Sequence, residues 1–238
     1  MTSRVVSTAL RLLADRGFVV SRHPAERRQR LLAEAGIDLV VDVGAARGDY
    51  GTELRHFGYT GSIVSFEPLA APFGQLSASA RADGRWTAHN CALGAEEGSA
   101  TIHIASNSDS SSLLPPHRGH TDAAPQVTFD EQQVVPVKRL DDVVAADLDR
   151  ARATFLKVDA QGFERQVLAG GPDTLAASVG VQLELSFTPL YEGGILVDEI
   201  ISTFYRDGFT LVSMIPGFVD PGGAMLQADG IFWRDAAR

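Results

Sequence analysis

Two acidic residues that each adjoin a turn are the most informative chemical feature of the chain. Asp42 stands two residues before Gly44 in the segment 42–48, Asp-Val-Gly-Ala-Ala-Arg-Gly, and Glu67 stands directly before Pro68. A glycine at a strand-to-helix turn lets the backbone approach a ligand closely. A carboxylate beside it can face a cationic group, and a second carboxylate can accept both hydroxyls of a ribose. This pattern indicates a site for a positively charged nucleoside, and S-adenosylmethionine carries an ammonium and a sulfonium but no pyrophosphate.

The glycine spacing excludes two other classes of loop. Gly44 and Gly48 are four residues apart, so the loop lacks the G-x-G-x-x-G pattern, and no Lys-Ser or Lys-Thr follows as in a P-loop. Glu67 alone would also fit an NAD-dependent oxidoreductase, which stays a less favoured alternative. A short-chain dehydrogenase, however, needs a tyrosine four residues before a lysine, and none of the 4 tyrosines meets that condition. The chain also lacks the Gly-x-Ser-x-Gly of a serine hydrolase.

Six short segments follow one another along the chain: Asp42–Gly48, Phe66–Pro68, Ala92–Gly94, Ser110–Leu113, Lys157–Asp159 and Gly162–Glu164. In this order they resemble the segments of the FkbM family of methyltransferases, and the resemblance covers roughly residues 37–235. The resemblance implies transfer of the methyl group of S-adenosylmethionine to a hydroxyl of a polyketide, sugar, glycolipid or other small metabolite. It also implies that Asp42, Gly44 and Glu67 contact the cofactor, and that Asp159 lies beside the transferred methyl group.

Neighbouring positions in these segments extend the expected cofactor site. They are Ala45, Gly48, Pro68, Ala92, Ser111 and Ser112. Two positions depart from the family pattern, since Ala46 replaces an asparagine and Gln161 replaces a carboxylate. Glutamine can donate and accept hydrogen bonds but cannot act as a base. If that carboxylate is needed for chemistry, we expect altered substrate choice or lost activity, so a cofactor-binding relative without turnover is the alternative function.

Methyl transfer to an alcohol is an in-line displacement that needs positioning and a base for the hydroxyl proton. Asp159 is the first candidate for that base, with a helix N-cap as the alternative. Glu184, near the end of the next predicted strand, is the second catalytic candidate, with a structural role bonded to backbone as the alternative. Together they could hold a divalent cation such as Mg²⁺, although no metal is assigned. Glu164 is expected to stabilise the first turn of a helix, and Phe187 and Tyr191 to line an acceptor pocket or to pack.

A long segment rich in Ser, Pro, Asp and His separates the two halves of the predicted sheet. Residues 94–137 contain a β-like pair at 100–104 and 134–137, and a segment this long is usually functional or disordered. We expect a mobile lid over the substrate. The histidines of this segment are His103, His117 and His120. We expect them to be exposed to solvent, with a role as catalytic base as the alternative. We expect no regular helix around His117 and His120.

Apolar β-branched runs alternate with amphipathic segments, and this alternation predicts the scaffold. Predicted strands are 39–43, 63–66, 86–91, 154–158, 179–185, 210–215 and 230–233, and predicted helices include 4–16, 24–35, 72–81 and 195–206. The pattern indicates a Rossmann-like class I methyltransferase fold. It consists of a mostly parallel seven-stranded sheet with helices on both faces and an antiparallel C-terminal strand. We expect N-terminal helices in residues 1–36 to pack on one domain formed by residues 37–238.

Composition indicates a small-molecule partner. The 238 residues are 45% hydrophobic and 21% charged, with a net charge of −9, which fits one α/β domain. Lys138 and Lys157 are its lysines, and the basic cluster Arg22–Arg30 is expected to form a solvated helix face, so no nucleic-acid partner is predicted. No apolar run reaches about 18 residues, so no membrane span is predicted. The lone Cys91 is expected to be a buried thiol of a cytoplasmic protein, and homo-oligomer formation is left open.

Overall fold

The computed structural model describes residues 7–8, 11–18 and 23–234. In this part of the chain the strands are β1 (Leu39–Val43), β2 (Ser62–Phe66), β3 (Trp86–His89), β4 (Ala92–Leu93), β5 (Gly98–Ile104), β6 (Glu131–Lys138), β7 (Thr154–Val158), β8 (Ser178–Ser186), β9 (Phe209–Pro216) and β10 (Gln227–Arg234). The helices are α1 (Pro24–Glu34), α2 (Asp49–His56), α3 (Ala70–Asp83), α4 (Arg118–Ala123), α5 (Leu140–Leu148), α6 (Glu164–Ala169), α7 (Pro172–Ala177) and α8 (Val197–Arg206).

One seven-stranded sheet organises the molecule, in the order β3-β2-β1-β7-β8-β10-β9. β1 is parallel to β2 and β7, β7 is parallel to β8, and β10 runs antiparallel to β8 and β9. The predicted class I methyltransferase fold is thus confirmed. After β1 the chain passes outward to β2 and β3 and returns to β7 on the other side of β1. Such a switch in strand order creates a crevice beyond the carboxyl ends of the strands, where ligands bind.

Side chains of β1 enter two hydrophobic cores. Val41 and Val43 belong to the core beneath α5, α6 and α8, where Phe204 is fully buried. Val40 points to the opposite core, which contains Leu54 of α2 and other side chains of α1 and α3. Because helices cover both faces, the side chains of β1 are apolar except for that of the buried Asp42. Ligand chemistry is therefore left to the residues at and beyond the strand ends.

The segment between β3 and β7 forms a second, three-stranded sheet in the order β4-β6-β5. β5 and β6 pair antiparallel, as the predicted β-like pair requires, and β4 adds a parallel strand. α4 lies between β5 and β6, where a regular helix was not expected. The His117 side chain caps α4 by accepting a hydrogen bond from the Gly119 N–H at 3.0 Å. Side-chain capping therefore supports a short helix that periodicity does not reveal.

The N-terminal part contributes α1, which begins at Pro24 as predicted. Arg28 of α1 is 4% exposed; its guanidinium donates to Glu53 at 2.6 Å and lies over the Tyr50 ring. The basic cluster is therefore not wholly a solvated face. The predicted helix 4–16 lies partly outside the described residues, and residues 7–8 and 11–14 of it are helical. Within the described residues, no helix has the length and apolar character needed to cross a lipid bilayer.

Candidate active site

A cavity of about 400 Å³ opens where β1, β2 and β7 end. The sheet register places Val43 beside both Phe66 and Val158, so the three strands end at the same level. Consequently the glycine bend after β1, Glu67 after β2 and Asp159 after β7 all line one cavity. Six other predicted cofactor residues line it as well: Gly44, Ala45, Pro68, Ala92, Ser111 and Ser112.

The bend after β1 requires glycine at its first position. Gly44 has a φ of +73°, and a Cβ there would lie 1.8 Å from the backbone oxygen of Asp159. Ala46 also has a positive φ, of 45°. Gly48, with a φ of +90°, precedes α2, and a Cβ there would meet core side chains. Gly48 therefore lies on the core side of the bend and outside the cavity lining, whereas we expected it to contact the cofactor.

Glu67 is held at the cavity by backbone donors. The carboxylate is 6% exposed; one oxygen accepts from the Ala46 N–H at 3.0 Å and the other from the Leu69 N–H at 2.8 Å. Burial raises the pKa of Glu67 to about 7, against the opposing effect of these hydrogen bonds. A carboxylate oxygen can accept two hydrogen bonds. Each oxygen therefore retains an acceptor direction for a ligand hydroxyl.

Asp42 lies beneath the bend instead of in the cavity wall. Its side chain is fully buried; one oxygen accepts from the Ser65 hydroxyl at 2.9 Å and the other is 3.3 Å from the Lys157 ammonium. Lys157 also donates to the Gly44 carbonyl at 2.8 Å. Burial alone would lower the pKa of Lys157, but the carboxylates of Asp42 and Asp159 outweigh that effect and raise it. Asp42 thus pairs with Lys157, which lines the cavity, but does not line the cavity itself. The direct contact with the cofactor that we expected of Asp42 therefore has no support.

Asp159 and Glu184 are joined by the side chain of Gln161. The Gln161 amide nitrogen donates to Asp159 Oδ1 at 2.7 Å and to Glu184 Oε2 at 3.1 Å. Asp159 Oδ2 is 3.6 Å from the Lys157 ammonium. The N-cap of α6 is Phe163, so Asp159 does not serve as the helix cap that was its alternative role. The departure at Gln161 therefore lies at the centre of the predicted catalytic pair.

Glu184 is set back from the cavity, while its partner on β10 reaches it. Glu184 Oε2 accepts a second amide hydrogen bond, from Gln227 at 2.7 Å. Asp229 is the register partner of Glu184 and lines the cavity, as does Gln182. Burial, followed by the charge of Asp159, raises the pKa of Asp229 to about 6 and that of Glu184 well above its usual value. Asp229 was not predicted at the site, because the predicted strand began one residue later, at Gly230.

The segment Ser108–Leu113 forms one wall of the cavity, where a lid was predicted. Arg47 of the glycine bend donates to the Ser108 hydroxyl at 2.8 Å. On the other side, the Ser112 hydroxyl donates to the Gln161 carbonyl at 2.6 Å. The segment is thereby attached to the loops after both β1 and β7.

The histidines and aromatic residues named from the sequence lie elsewhere. His120 is 4% exposed, not solvated as expected, and its ring packs 5.6 Å from that of Tyr191. Burial lowers the pKa of His120. His103 contacts the Gln132 side chain in the three-stranded sheet. The residues that line the cavity do not include these two histidines, the capping His117, Tyr191 or the exposed Phe187. The alternative of a histidine base therefore has no support. The expected lining of an acceptor pocket by Phe187 and Tyr191 has none either.

Two remaining expectations concern buried acid and thiol groups. Glu164 is 2% exposed, and its carboxylate accepts from the Ala160 N–H at 2.9 Å and the Gly162 N–H at 3.1 Å, so it stabilises the start of α6 as predicted. Cys91 is buried and lines the cavity. Among residues 7–8, 11–18 and 23–234, no group of three or more His, Cys, Asp or Glu side chains is arranged to hold a metal ion.

Comparison with protein-family models identifies the family of the chain. The model of the Methyltransferase FkbM domain matches residues 42–211, more than half of the chain. The chain belongs to the FkbM methyltransferase family. It is therefore an S-adenosylmethionine-dependent methyltransferase, as the resemblance of its short segments predicted. None of the curated proteins matches the sequence.

Two solved structures to which this FkbM methyltransferase is similar are distant from it in sequence. Magnesium protoporphyrin IX methyltransferase from Synechocystis PCC 6803, solved with bound S-adenosylmethionine, is 11% identical, with a TM-score of 0.47, 89% of this chain covered and 78% of that chain. Ribosomal protein L11 methylase from Lactobacillus delbrueckii subsp. bulgaricus is 10% identical, with a TM-score of 0.44, 92% of this chain covered and 82% of that chain.

Proposed function

We propose that this FkbM methyltransferase methylates a hydroxyl of a small metabolite, sugar, glycolipid or polyketide, with Asp159 as the general base. The position of Asp159 carries the proposal. Its carboxylate lines the cavity next to the glycine bend, 3.6 Å from the Lys157 ammonium. A hydroxyl placed in the cavity against this carboxylate has an oxygen acceptor for its proton.

The cavity residues fit S-adenosylmethionine in charge and shape. When bound, the cofactor supplies an electrophilic methyl group on a sulfonium. Glu67 offers acceptors for two ribose hydroxyls, and Gly44 and Ala45 allow close approach to the backbone. Leu69 and Leu93 give one wall of the cavity an apolar surface suited to a purine ring. The remaining proposed contacts are Pro68, Ala92, Ser111 and Ser112.

Most of the rate enhancement that we assign to the protein comes from positioning. A hydroxyl held against Asp159 would pass its proton to that carboxylate while its oxygen takes the methyl group and the carbon–sulfur bond breaks. The fixed geometry would remove much of the entropic barrier. The lid segment Ser108–Leu113 excludes water from this step. Glu184 is hydrogen-bonded to amides and stands outside the cavity wall, so we give it a positioning role and keep the proton transfer for Asp159.

The acceptor and the setting follow from charge and composition. A net charge of −9 disfavours a nucleic-acid acceptor, and a hydroxylated small molecule needs no basic surface. The lone cysteine agrees with a reducing cytoplasm. We also propose that the helices of residues 1–36 pack on a domain formed by residues 37–238; the contact of Arg28 with Glu53 supports this division.

A labelled-methyl screen of hydroxylated lipids, glycosides and polyketides tests the reaction, and Asp159→Asn tests the base. We expect Asp159→Asn to lower kcat by about 10²–10⁴-fold, the usual contribution of a general base, with little change in the Kd of S-adenosylhomocysteine. The matched control is Asp149→Asn at an exposed helix end, which should keep wild-type turnover. Transfer of the label to amines but to no hydroxyl would overturn the O-methylation proposal. Full turnover of Asp159→Asn would remove Asp159 as the base.

A further inference from the structure

The Gln161 amide group bridges the side chains of Asp159 and Glu184. Its nitrogen carries two hydrogens, and one is directed at Asp159 Oδ1 at 2.7 Å and the other at Glu184 Oε2 at 3.1 Å. A single neutral side chain therefore contacts both carboxyl groups.

The orientation of this amide is fixed from the other side. The Tyr191 hydroxyl donates to Gln161 Oε1 at 2.7 Å, and the backbone carbonyl of Gln161 accepts from the Ser112 hydroxyl. Rotating the amide by 180° would place Oε1 against two carboxylate oxygens, which is repulsive. The backbone φ of +51° at this residue, uncommon for a side chain with a Cβ, shows that the surroundings determine its placement.

We propose that the Gln161 amide takes the place of a divalent cation between Asp159 and Glu184, and so acts as the positioning residue for the base. It binds one oxygen of Asp159 and leaves Oδ2 on the side of Lys157 and the cavity. Glu184 is held by the same amide and by Gln227, away from the cavity wall. This inference rests on the proposed role of Asp159 as the base.

Metal binding by a variant of Gln161 can be measured without a methyl acceptor. Gln161→Glu would replace the two N–H donors with a third carboxylate within hydrogen-bond distance of Asp159 and Glu184. Three convergent carboxylates are ligands that hard divalent cations prefer. We therefore expect the substitution to create a site for a hard divalent cation such as Mn²⁺ between these three side chains.

The experiment is a calorimetric titration of the full chain with Mn²⁺ alone. Gln161→Glu should show saturable binding, whereas the wild type and the control Gln132→Glu, the same change on an exposed strand, should show none. Binding of S-adenosylhomocysteine by each variant checks the fold. Equal Mn²⁺ affinity in wild type and Gln161→Glu overturns the proposal, and so does a folded Gln161→Glu that fails to bind Mn²⁺.

Thermal unfolding covers the case in which Gln161→Glu is too unstable to titrate. Mn²⁺ should raise its unfolding midpoint more than that of Gln161→Leu, which lacks both the donors and the added carboxylate. An equal response of the two variants overturns the proposal. Because none of these measurements uses a methyl acceptor, failure of the O-methylation proposal leaves their results unchanged. On an identified acceptor, Gln161→Leu should lower kcat with little change in cofactor affinity, and Mn²⁺ should restore kcat to Gln161→Glu only.

Discussion

Glu67 and Asp42 stand at the ends of neighbouring strands but are held by different partners. Backbone N–H groups bind the inner side of the Glu67 carboxylate, so its outer side remains for a ligand. Asp42 is bound by Ser65 and Lys157 and is closed to the cavity. A buried carboxylate paired with a lysine stabilises the loop above it, whereas one held by backbone donors can exchange water for ligand hydroxyls.

Glu67→Gln should weaken cofactor binding without unfolding the chain. The amide keeps the shape of the side chain but offers one oxygen, so the Ala46 and Leu69 N–H groups and the ribose hydroxyls would compete for it. We expect a loss of roughly 1.5–3 kcal/mol, the range for hydrogen bonds to charged groups, or roughly 10- to 150-fold in Kd. Calorimetric titration with S-adenosylhomocysteine measures it. The matched control is Glu97→Gln on an exposed turn, and an unchanged Kd for Glu67→Gln would remove Glu67 from the binding site.

At the residue scale, the sequence predicts which acidic residues lie at strand ends, but it does not predict their hydrogen-bond and ion-pair partners. The position of Glu67 or Asp159 after a strand is a local property of the chain, and both were predicted at the cavity edge. The pairing of Asp42 with Lys157 depends on the register between β1 and β7. The bridge from Gln161 to Glu184 likewise joins separate elements, so neither pattern of spacing nor residue type reveals it.

At the scale of elements, the bend after β1 and the loop after β7 touch through backbone atoms. This contact is what leaves no room for a side chain at Gly44, whose Cβ would overlap the Asp159 carbonyl oxygen. The bend after β1 forms the proposed cofactor side of the cavity, and the loop after β7 forms the proposed catalytic side. Their contact fixes the position of one side relative to the other. A change at this contact should disturb both at once.

Gly44→Ala should destabilise the fold and abolish cofactor binding. The substitution adds a side chain at a φ of +73° and forces β1 and β7 apart, so we expect a loss of about 2–5 kcal/mol from backbone strain and overpacking. Gly74→Ala is the control, since Gly74 lies inside α3 with nothing near its missing Cβ. That change should stabilise by about 0.5–1 kcal/mol. Urea unfolding followed by circular dichroism distinguishes the two; similar midpoints would show that the loops tolerate separation.

Elements with long apolar runs were predicted accurately, whereas short or capped elements were not. β1 and β7 have the predicted bounds, 39–43 and 154–158. α5 was not predicted, because its helical state depends on packing of Leu140 and Val144 against the core. β10 begins at Gln227, before its predicted start at Gly230, since pairing with β8 overrides the weak strand preference of Asp229 and Gly230.

At the scale of the whole molecule, buried and half-buried carboxyl groups concentrate around one edge of the sheet. Burial raises the pKa of Glu67 and of Glu164 to about 7, that of Asp229 to about 6, and that of Glu184 well above its usual value. Between pH 4.5 and about 7 the folded chain therefore binds more protons than the unfolded chain. Stability must fall as pH rises through that interval, since ionisation costs the folded state more.

Other titrating groups oppose this trend weakly or act outside the interval. Burial lowers the pKa of His89 and His120 below 6.5, which makes the fold more stable as pH rises toward that value. The lowered pKa values of Asp38 and Asp83 add stability that is lost only below pH 3.8. The raised pKa of Lys157 acts above pH 10.5. Four carboxyl groups with raised pKa values against two histidines with lowered ones leave a net decrease in stability from pH 5 toward pH 7.

The ligand-free protein should therefore have its highest unfolding midpoint near pH 5, and Glu164→Gln should reduce the decline above it. A glutamine at this position still accepts the Ala160 and Gly162 N–H groups through its oxygen, but it does not ionise. We expect the variant to gain about 1–3 kcal/mol over wild type at pH 7 and little at pH 5, since each pKa unit corresponds to about 1.4 kcal/mol. Urea unfolding at pH 5, 6 and 7 measures both, with Glu131→Gln on an exposed strand end as the control. Parallel pH profiles for Glu164→Gln and wild type would show that this carboxyl group is already ionised at pH 5, and would remove burial as the cause of the decline.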